Sequence, residues 1–370
     1  MVFVSNKMGK KSVLFQIHHL YYLPQFMPVA QALEADGNFE VWFSPVILSD
    51  RRDYELTCRI LKQQNLRLLT AEREKDRIAQ ILARNFDVTV FGKSNHAERY
   101  CSSQTLAVLL YHGIGFKSCY YTDYNLRLNV RYVEGPYRLG ELQKYNYQTE
   151  LVETGFPKLD ILKQIDADAL RQKLDLSSGL PTILYAPTFY PSSIEVIAEQ
   201  LAQISVNFNL IVKLHHFSWL LPKYRHQVNL WQQLSARYAH IRLLPVEEYN
   251  IVPYFLVSDL LLTDGSSTAF EFLTVEKPVV LAQCYHLRWK HRLFRNRFYQ
   301  SRMDSAIESQ LDFAYRLTAT DQLAMTLEEA LRDREGRLPL IREKKALHLG
   351  QVDGESSQRV VADLKRRLGL

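Results

Sequence analysis

Residues 259–284 read DLLLTDGSSTAFEFLTVEKPVVLAQC. An apolar run ends in Thr263-Asp264-Gly265, two serines open a second apolar stretch of helical character, and Lys-Pro introduces a third run rich in valine. Strand, turn, helix, strand in this order is the β–α–β unit of a parallel sheet. The same alternation continues outward. TILYAPT (182–188), NLIVKLHH (209–216) and IRLLPV (241–246) are further strand candidates with helical stretches between them. Towards the N-terminus, strands are expected at SVLFQI (12–17), FEVWFSPV (39–46), FDVTVFG (86–92), LAVLLYH (106–112), LNVRYVEG (128–135) and TELVETG (149–155). Helices are expected over 24–35, 51–64 and 71–84, with LRLLT (66–70) between the last two. The polar stretch 163–181, ending in Ser-Ser-Gly-Leu-Pro, reads as the connection between two consecutive α/β patterns of similar size. The expectation is an α/β protein of two Rossmann-like domains facing a cleft, over residues 1–165 and 181–345.

Composition narrows the functional classes. The chain has 370 residues, 47% hydrophobic and 23% charged, the profile of a globular protein of about two domains. The apolar runs LAVLLY and LVSDLLLT are far shorter than the ~20 residues of a membrane helix. The N-terminal stretch has no long apolar segment before a small-residue cleavage site, so no secretory signal is expected. Four cysteines, Cys58, Cys101, Cys119 and Cys284, are widely spaced with no C-x-x-C. That argues against a disulfide framework or zinc knuckle and for a reduced, cytoplasmic setting. A net charge of +6 suits an anionic ligand or membrane surface as well as ordinary solvation. No RNA-binding aromatic pair is present, so nucleic acid is not an expected partner.

Open parallel sheets bind ligands beyond the carboxyl ends of their strands, and three such ends carry chemistry. In LLYHGIGFK (109–117), His112 ends a strand, Gly113 and Gly115 allow close backbone approach, and Lys117 adds positive charge. A histidine there suits a general base; a buried, hydrogen-bonded turn histidine is the other reading. In IVKLHHF (211–217), Lys213 and His215 share one strand face with His216 opposite, either at a phosphate or as an edge-strand pair facing water. In LLLTDGSSTAFEFL (260–273), Ser266 or Ser267 caps a helix whose first N–H groups form an anion site, and Glu271, one turn on, is placed to reach a ribose hydroxyl. A capped helix with nothing bound and a solvated Glu271 are the alternatives. ETGFPKLD (153–160) and LYAPTFY (184–190) are further turns that line the cleft or serve structure alone.

Taken together, YHGIGFK, TGFPKLD, ILYAPTF, VKLHH, LLTDGSSTAFEFLTVEKPVV and VDGESSQRVVADL (352–364) occur in an order that resembles the CDP-glycerol glycerophosphotransferases, the teichoic-acid primases and polymerases. The matches span roughly residues 106–364. The resemblance implies a GT-B fold, with residues 346–370 forming a final helix that crosses back to the N-terminal domain. It implies transfer of glycerol phosphate, or a related alditol phosphate, from a CDP-linked donor to a hydroxyl of a cell-surface glycan or lipid-linked acceptor, with release of CMP. The family's two histidines fall on His112 and His215, and its nucleotide-phosphate site on Thr263, Asp264, Ser266 and Ser267. The chain departs from the family at Gly265, where an aromatic residue is common, at His216, where proline is usual, and over 285–300.

The expected roles follow. His112 takes the acceptor proton. His215 and Lys213 contact the pyrophosphate or protonate the leaving group. Gly113, Gly115, Lys117, Thr263, Asp264, Ser266, Ser267 and Glu271 bind substrate. No cofactor and no tightly bound metal are expected, since no carboxylate cluster is visible. RWKHRLFRNRF (288–298), with five Lys/Arg among Trp289, Phe294 and Phe298, adds peripheral contact with the inner membrane face to the expectations. A nucleotide-sugar glycosyltransferase or epimerase of the same fold, and an inert GT-B scaffold in a glycan assembly complex, are the alternatives.

Overall fold

The computed structural model describes residues 9–94, 96–114, 125, 127–145, 148–285, 287, 309–333 and 335–370. Two six-stranded sheets, all of whose pairings are parallel, organise the chain. The first contains β1 (Lys11–Ile17), β2 (Phe39–Pro45), β3 (Val88–Phe91), β4 (Leu106–Leu110), β5 (Val130–Val133) and β6 (Glu150–Glu153), in the order β2-β1-β3-β4-β5-β6. The second contains β7 (Thr182–Ala186), β8 (Asn209–Val212), β9 (Ile241–Leu243), β10 (Leu260–Thr263), β11 (Val279–Ala282) and β12 (Tyr315–Leu317), in the order β12-β11-β10-β7-β8-β9. Helices cover both faces of such sheets, so central strands read as continuous apolar runs. VTVF of β3 and LLLT of β10 are buried at every position.

The two strand orders place the switch points. In the first sheet the chain departs from β1 to β2 on one side and later pairs β3 on the other. In the second, β7 has β8 on one side and β10 on the other. Crevices open at the carboxyl ends of such strand pairs: at His18 and His19 after β1, Gly92 after β3, Pro187 after β7 and Asp264 after β10.

The connection between the sheets is more structured than its polarity suggests. A 3-10 segment, Pro157–Gln164, leads to a helix, Ala167–Lys173, whose N-cap Asp166 accepts the N–H groups of Asp168 and Ala169. LRLLT contributes only an isolated bridge, Leu68 to Phe43, and β12 joins the edge of the second sheet without having been expected. The strand in NLIVKLHH stops at Val212, and His216 begins a short helix, His216–Leu220.

After the second sheet, helices Leu323–Arg332 and Leu338–Leu349 lead to Ser356–Leu368. This last helix packs against Leu23–Asp36 of the first half, with Val360, Val361 and Leu364 in the same core as Phe15 and Leu33. Lys365 pairs with Asp36, and Asp363 accepts the Tyr132 hydroxyl. Asp160 of the connection accepts the N–H groups of Ser356 and Ser357 and the Ser357 hydroxyl, so a residue from another segment supplies the cap. No helix among the described residues is long and apolar enough to cross a membrane.

Candidate functional site

A cavity of about 280 Å3 lies between the carboxyl ends of the two sheets. Tyr21, His112, Gly113 and Lys158 line one side; Lys213, His215, His216, Gly265, Ser266 and Ser267 line the other. A larger hollow of about 720 Å3, bordered by Pro181, Phe208, Asp259 and Leu331, opens at the amino ends of β7 and β10, opposite to where such sheets bind ligands.

His112 follows β4. Its Nδ1 lies 2.6 Å from the carbonyl oxygen of Gly92, at the end of β3. A carbonyl can only accept, so Nδ1 carries the proton and Nε2 is the basic nitrogen. The ring stacks on Tyr22 at 4.3 Å and 14°, with Tyr21 edge-on at 5.2 Å. The turn after it is held from below: Arg138 donates to the Gly113 carbonyl at 3.0 Å and is itself paired with buried Glu134 at 2.7 Å. A Cβ on Gly113 would lie 3.3 Å from the Ser267 Oγ, tighter than ordinary side-chain contact, so glycine lets the two halves meet here. Gly115 and Lys117 lie outside the described residues.

Lys213 and His215 both reach the cavity, but from a loop and a helix cap rather than from one strand face. His215 is the N-cap of His216–Leu220, its Nδ1 accepting the Phe217 N–H at 3.1 Å, and its ring packs on Phe189 at 4.9 Å. His216 lines the same cavity instead of pointing away. Lys213 is buried, donates to the Leu214 carbonyl at 3.3 Å, and has no carboxylate within ion-pair distance among the described residues. Burial lowers its ammonium pKa to about 8. Lys158, by contrast, is neutralised by Glu271 at 2.6 Å.

Three of the expected substrate-binding residues have partners within the fold. Glu271 is fully buried, held by Lys158 and by the Ser267 hydroxyl at 3.2 Å. Thr263 donates to the Ala186 carbonyl at 2.6 Å. Asp264 accepts the Ser193 hydroxyl at 2.6 Å and the N–H groups of Thr188 and Ser193, and burial pushes its carboxyl up to about 7. Both residues fasten the loop that carries Thr188 and Phe189 into the cavity wall. The apolar neighbours that bury them are the same residues that make β10 legible, and burial turns their polar atoms inward to backbone. Ser266 and Ser267 do line the cavity. The helix they open is a single turn, Thr268–Glu271, continued by a 3-10 turn; the Ala269 N–H donates to the Ser266 carbonyl, and the Phe270 and Glu271 N–H groups donate to the Ser267 carbonyl.

Sequence reasoning missed Lys158, Arg138, Glu134 and Tyr21, whose positions depend on pairings across the fold. PKLD (157–160) is part of a turn expected to line the cleft or serve structure alone; its lysine and aspartate are both buried and bonded.

Two parallel sheets of these orders, with facing carboxyl ends and a polar cavity between them, define a GT-B protein. Residues 141–365 match the family described as CDP-glycerol:poly(glycerophosphate) glycerophosphotransferase, and the chain belongs to that family of transferases. It is 23% identical over 364 residues to the teichoic acid ribitol-phosphate polymerase TarK of Staphylococcus aureus, covering 90% of this chain and 66% of that protein. It is 27% identical over 137 residues to the teichoic acid glycerol-phosphate primase of Bacillus subtilis, covering 35% of this chain and 32% of that one. The chain thus spans less than two-thirds of the length of either relative. Among solved structures, the wall teichoic acid polymerase TagF superposes with a TM-score of 0.66 at 14% identity, over 97% of this chain and 90% of that one. The UDP-GlcNAc 2-epimerase of Neisseria meningitidis does so at 0.63 and 14%, over 96% and 100%. These last two likenesses concern fold.

Proposed function

We propose that the chain transfers glycerol phosphate, or a related alditol phosphate, from a CDP-linked donor to a hydroxyl of a glycan or lipid-linked acceptor. The observation that carries this reading is Lys213: a buried ammonium with no carboxylate at ion-pair distance among the described residues, in a cavity that Ser266 and Ser267 also line. A buried charge is costly unless paired, and a donor pyrophosphate is a partner of the right sign. The acceptor oxygen attacks the β-phosphorus in line. The new P–O bond forms as the bond to the CMP oxygen breaks, and CMP departs with the electron pair. Such transfer depends on positioning and charge neutralisation more than on covalent catalysis.

In this reading His112 Nε2 accepts the acceptor hydroxyl proton, and the Gly92 carbonyl keeps the ring in the tautomer that allows it. Lys213 and His215 meet the pyrophosphate, and backbone N–H groups at Ser266 and Ser267 complete its cradle. The reaction is placed in the cytoplasm, at the inner membrane face where a lipid-linked acceptor is presented. Family membership and the shared cavity support this assignment. The test is product release: the full chain, given CDP-glycerol, CDP-ribitol and UDP-sugars with a panel of polyol-phosphate and glycan acceptors, releases CMP from a CDP-alditol. Turnover of UDP-sugars alone would replace it with sugar transfer or epimerisation, and absence of any release would favour a scaffold.

A further inference from the structure

Three side chains from distant parts of the sequence converge beside the cavity. His19 stands two residues past β1, Asp53 lies in the first turn of the helix Arg52–Gln63, and His216 opens the helix His216–Leu220. We propose that His19, Asp53 and His216 form a divalent transition-metal site, zinc being the ion it fits, which fastens the two halves of the chain together.

The geometry is that of a ligand set. One ligating atom from each residue lies within 4.8 Å of the others. Asp53 Oδ2 is 2.6 Å from His19 Nδ1 and 3.6 Å from His216 Nε2. Ligands at roughly 2.0–2.2 Å from a tetrahedral ion stand about 3.3 Å apart, so the present hydrogen bond between His19 and Asp53 lengthens when an ion takes the place of its proton. The carboxylate is already oriented. Its other oxygen, Oδ1, accepts the Leu20 N–H at 3.0 Å and the Thr57 hydroxyl at 3.4 Å, which turns Oδ2 towards both imidazoles, as outer-shell partners do at metal centres.

The second observation is His216 itself. It is 7% exposed, and neither ring nitrogen has a hydrogen-bond partner among the described residues; the approach to Asp53, 3.6 Å, is too long for one. Buried polar nitrogens without partners are uncommon and costly, and an ion between His216 and Asp53 supplies the missing partner. Two imidazoles and one carboxylate select zinc or a neighbouring first-row ion over magnesium and calcium, which take oxygen ligands. Three protein ligands leave one position for water. Since His19 and Asp53 belong to the first half and His216 to the second, the ion closes the cavity wall around Tyr21.

The test uses the full, tag-free chain, stripped with chelator and then titrated with zinc chloride by calorimetry, with metal content measured after dialysis. One zinc per chain is retained, and it raises the melting temperature. His19→Gln and His216→Gln each weaken zinc binding by at least 10–100-fold, the loss that even outer-shell changes produce. His226→Gln, which alters the exposed pair His226–Glu195, leaves binding unchanged. Zinc bound equally well by the folded His216→Gln variant would overturn the site and assign the metal to surface histidines. A wild-type chain that retains no zinc and melts at the same temperature with and without it would overturn the site by itself, whichever variants fold.

Discussion

Replacing Lys213 by methionine separates the two roles a buried lysine can have. Burial lowers its pKa from the usual 10.5 to about 8. At 1.36 kcal/mol per pKa unit, keeping it charged in the fold costs about 3 kcal/mol. Below pH 8 both folded and unfolded chains hold the proton, and the whole cost is present. Between pH 8 and 10.5 the folded chain releases the proton while the unfolded chain keeps it, so stability rises with pH. Lys213→Met removes this rise and melts at or above the wild-type temperature at pH 7. The charge it removes is the one proposed to meet the donor. A charge-assisted hydrogen bond is worth about 1.5–3 kcal/mol, so CDP affinity falls about 10–150-fold. In the wild type, affinity declines as pH passes 8, and CDP binding there takes up a proton, seen by calorimetry in buffers of different ionisation enthalpy. The melting difference between wild type and variant, followed across pH, isolates Lys213 from other titrating groups. A variant that melts lower and binds CDP as well as the wild type would make Lys213 a structural group and refute the reasoning.

His112→Ala lowers kcat by about 10²–10⁴-fold with donor affinity nearly kept; a well-folded variant that turns over within about threefold of wild type would remove the base assignment. His215→Ala, placed at the phosphates, weakens donor binding as well, read in the same titrations. Ser266→Ala combined with Ser267→Ala weakens CDP binding and leaves the circular dichroism spectrum intact, whereas unchanged affinity would put the nucleotide elsewhere. The stretch 288–298, outside the described residues, carries five basic side chains worth about 1 kcal/mol each near an anionic surface; the chain co-floats with anionic liposomes at low salt, and no co-flotation would end that proposal.

The legible parts of the fold were those where periodicity and burial agree. β7 and β10 are buried at every position, β1 is buried from Val13 to Ile17, and the helix Arg52–Gln63 has one apolar face. The cavity-lining positions His112, Gly113, Lys213, His215, Ser266 and Ser267 were legible because strand ends in parallel sheets are where ligands sit. The partners of Glu271 and Asp264 were not legible because position along a chain does not show which carboxylate a neighbour has already claimed: Lys158 is 113 residues from Glu271, and Ser193 is 71 from Asp264. The same limit hid the convergence of His19, Asp53 and His216, which have no common motif. His216 was assigned to the far face because a continuing strand was assumed, and the chain turns into a helix there.

The capping of Ser356–Leu368 by Asp160 has a mechanical consequence. The chain passes between its halves twice, once along Pro157–Gln164 and again between Leu349 and Ser356, and Asp160 fastens the second crossing to the first. Gly155, Gly350 and Gly354, all at positive φ, stand around this junction. Joined at two such neighbouring points, the halves are tethered along one side by two chain crossings that share one carboxylate, so loss of Asp160 would loosen both crossings at once.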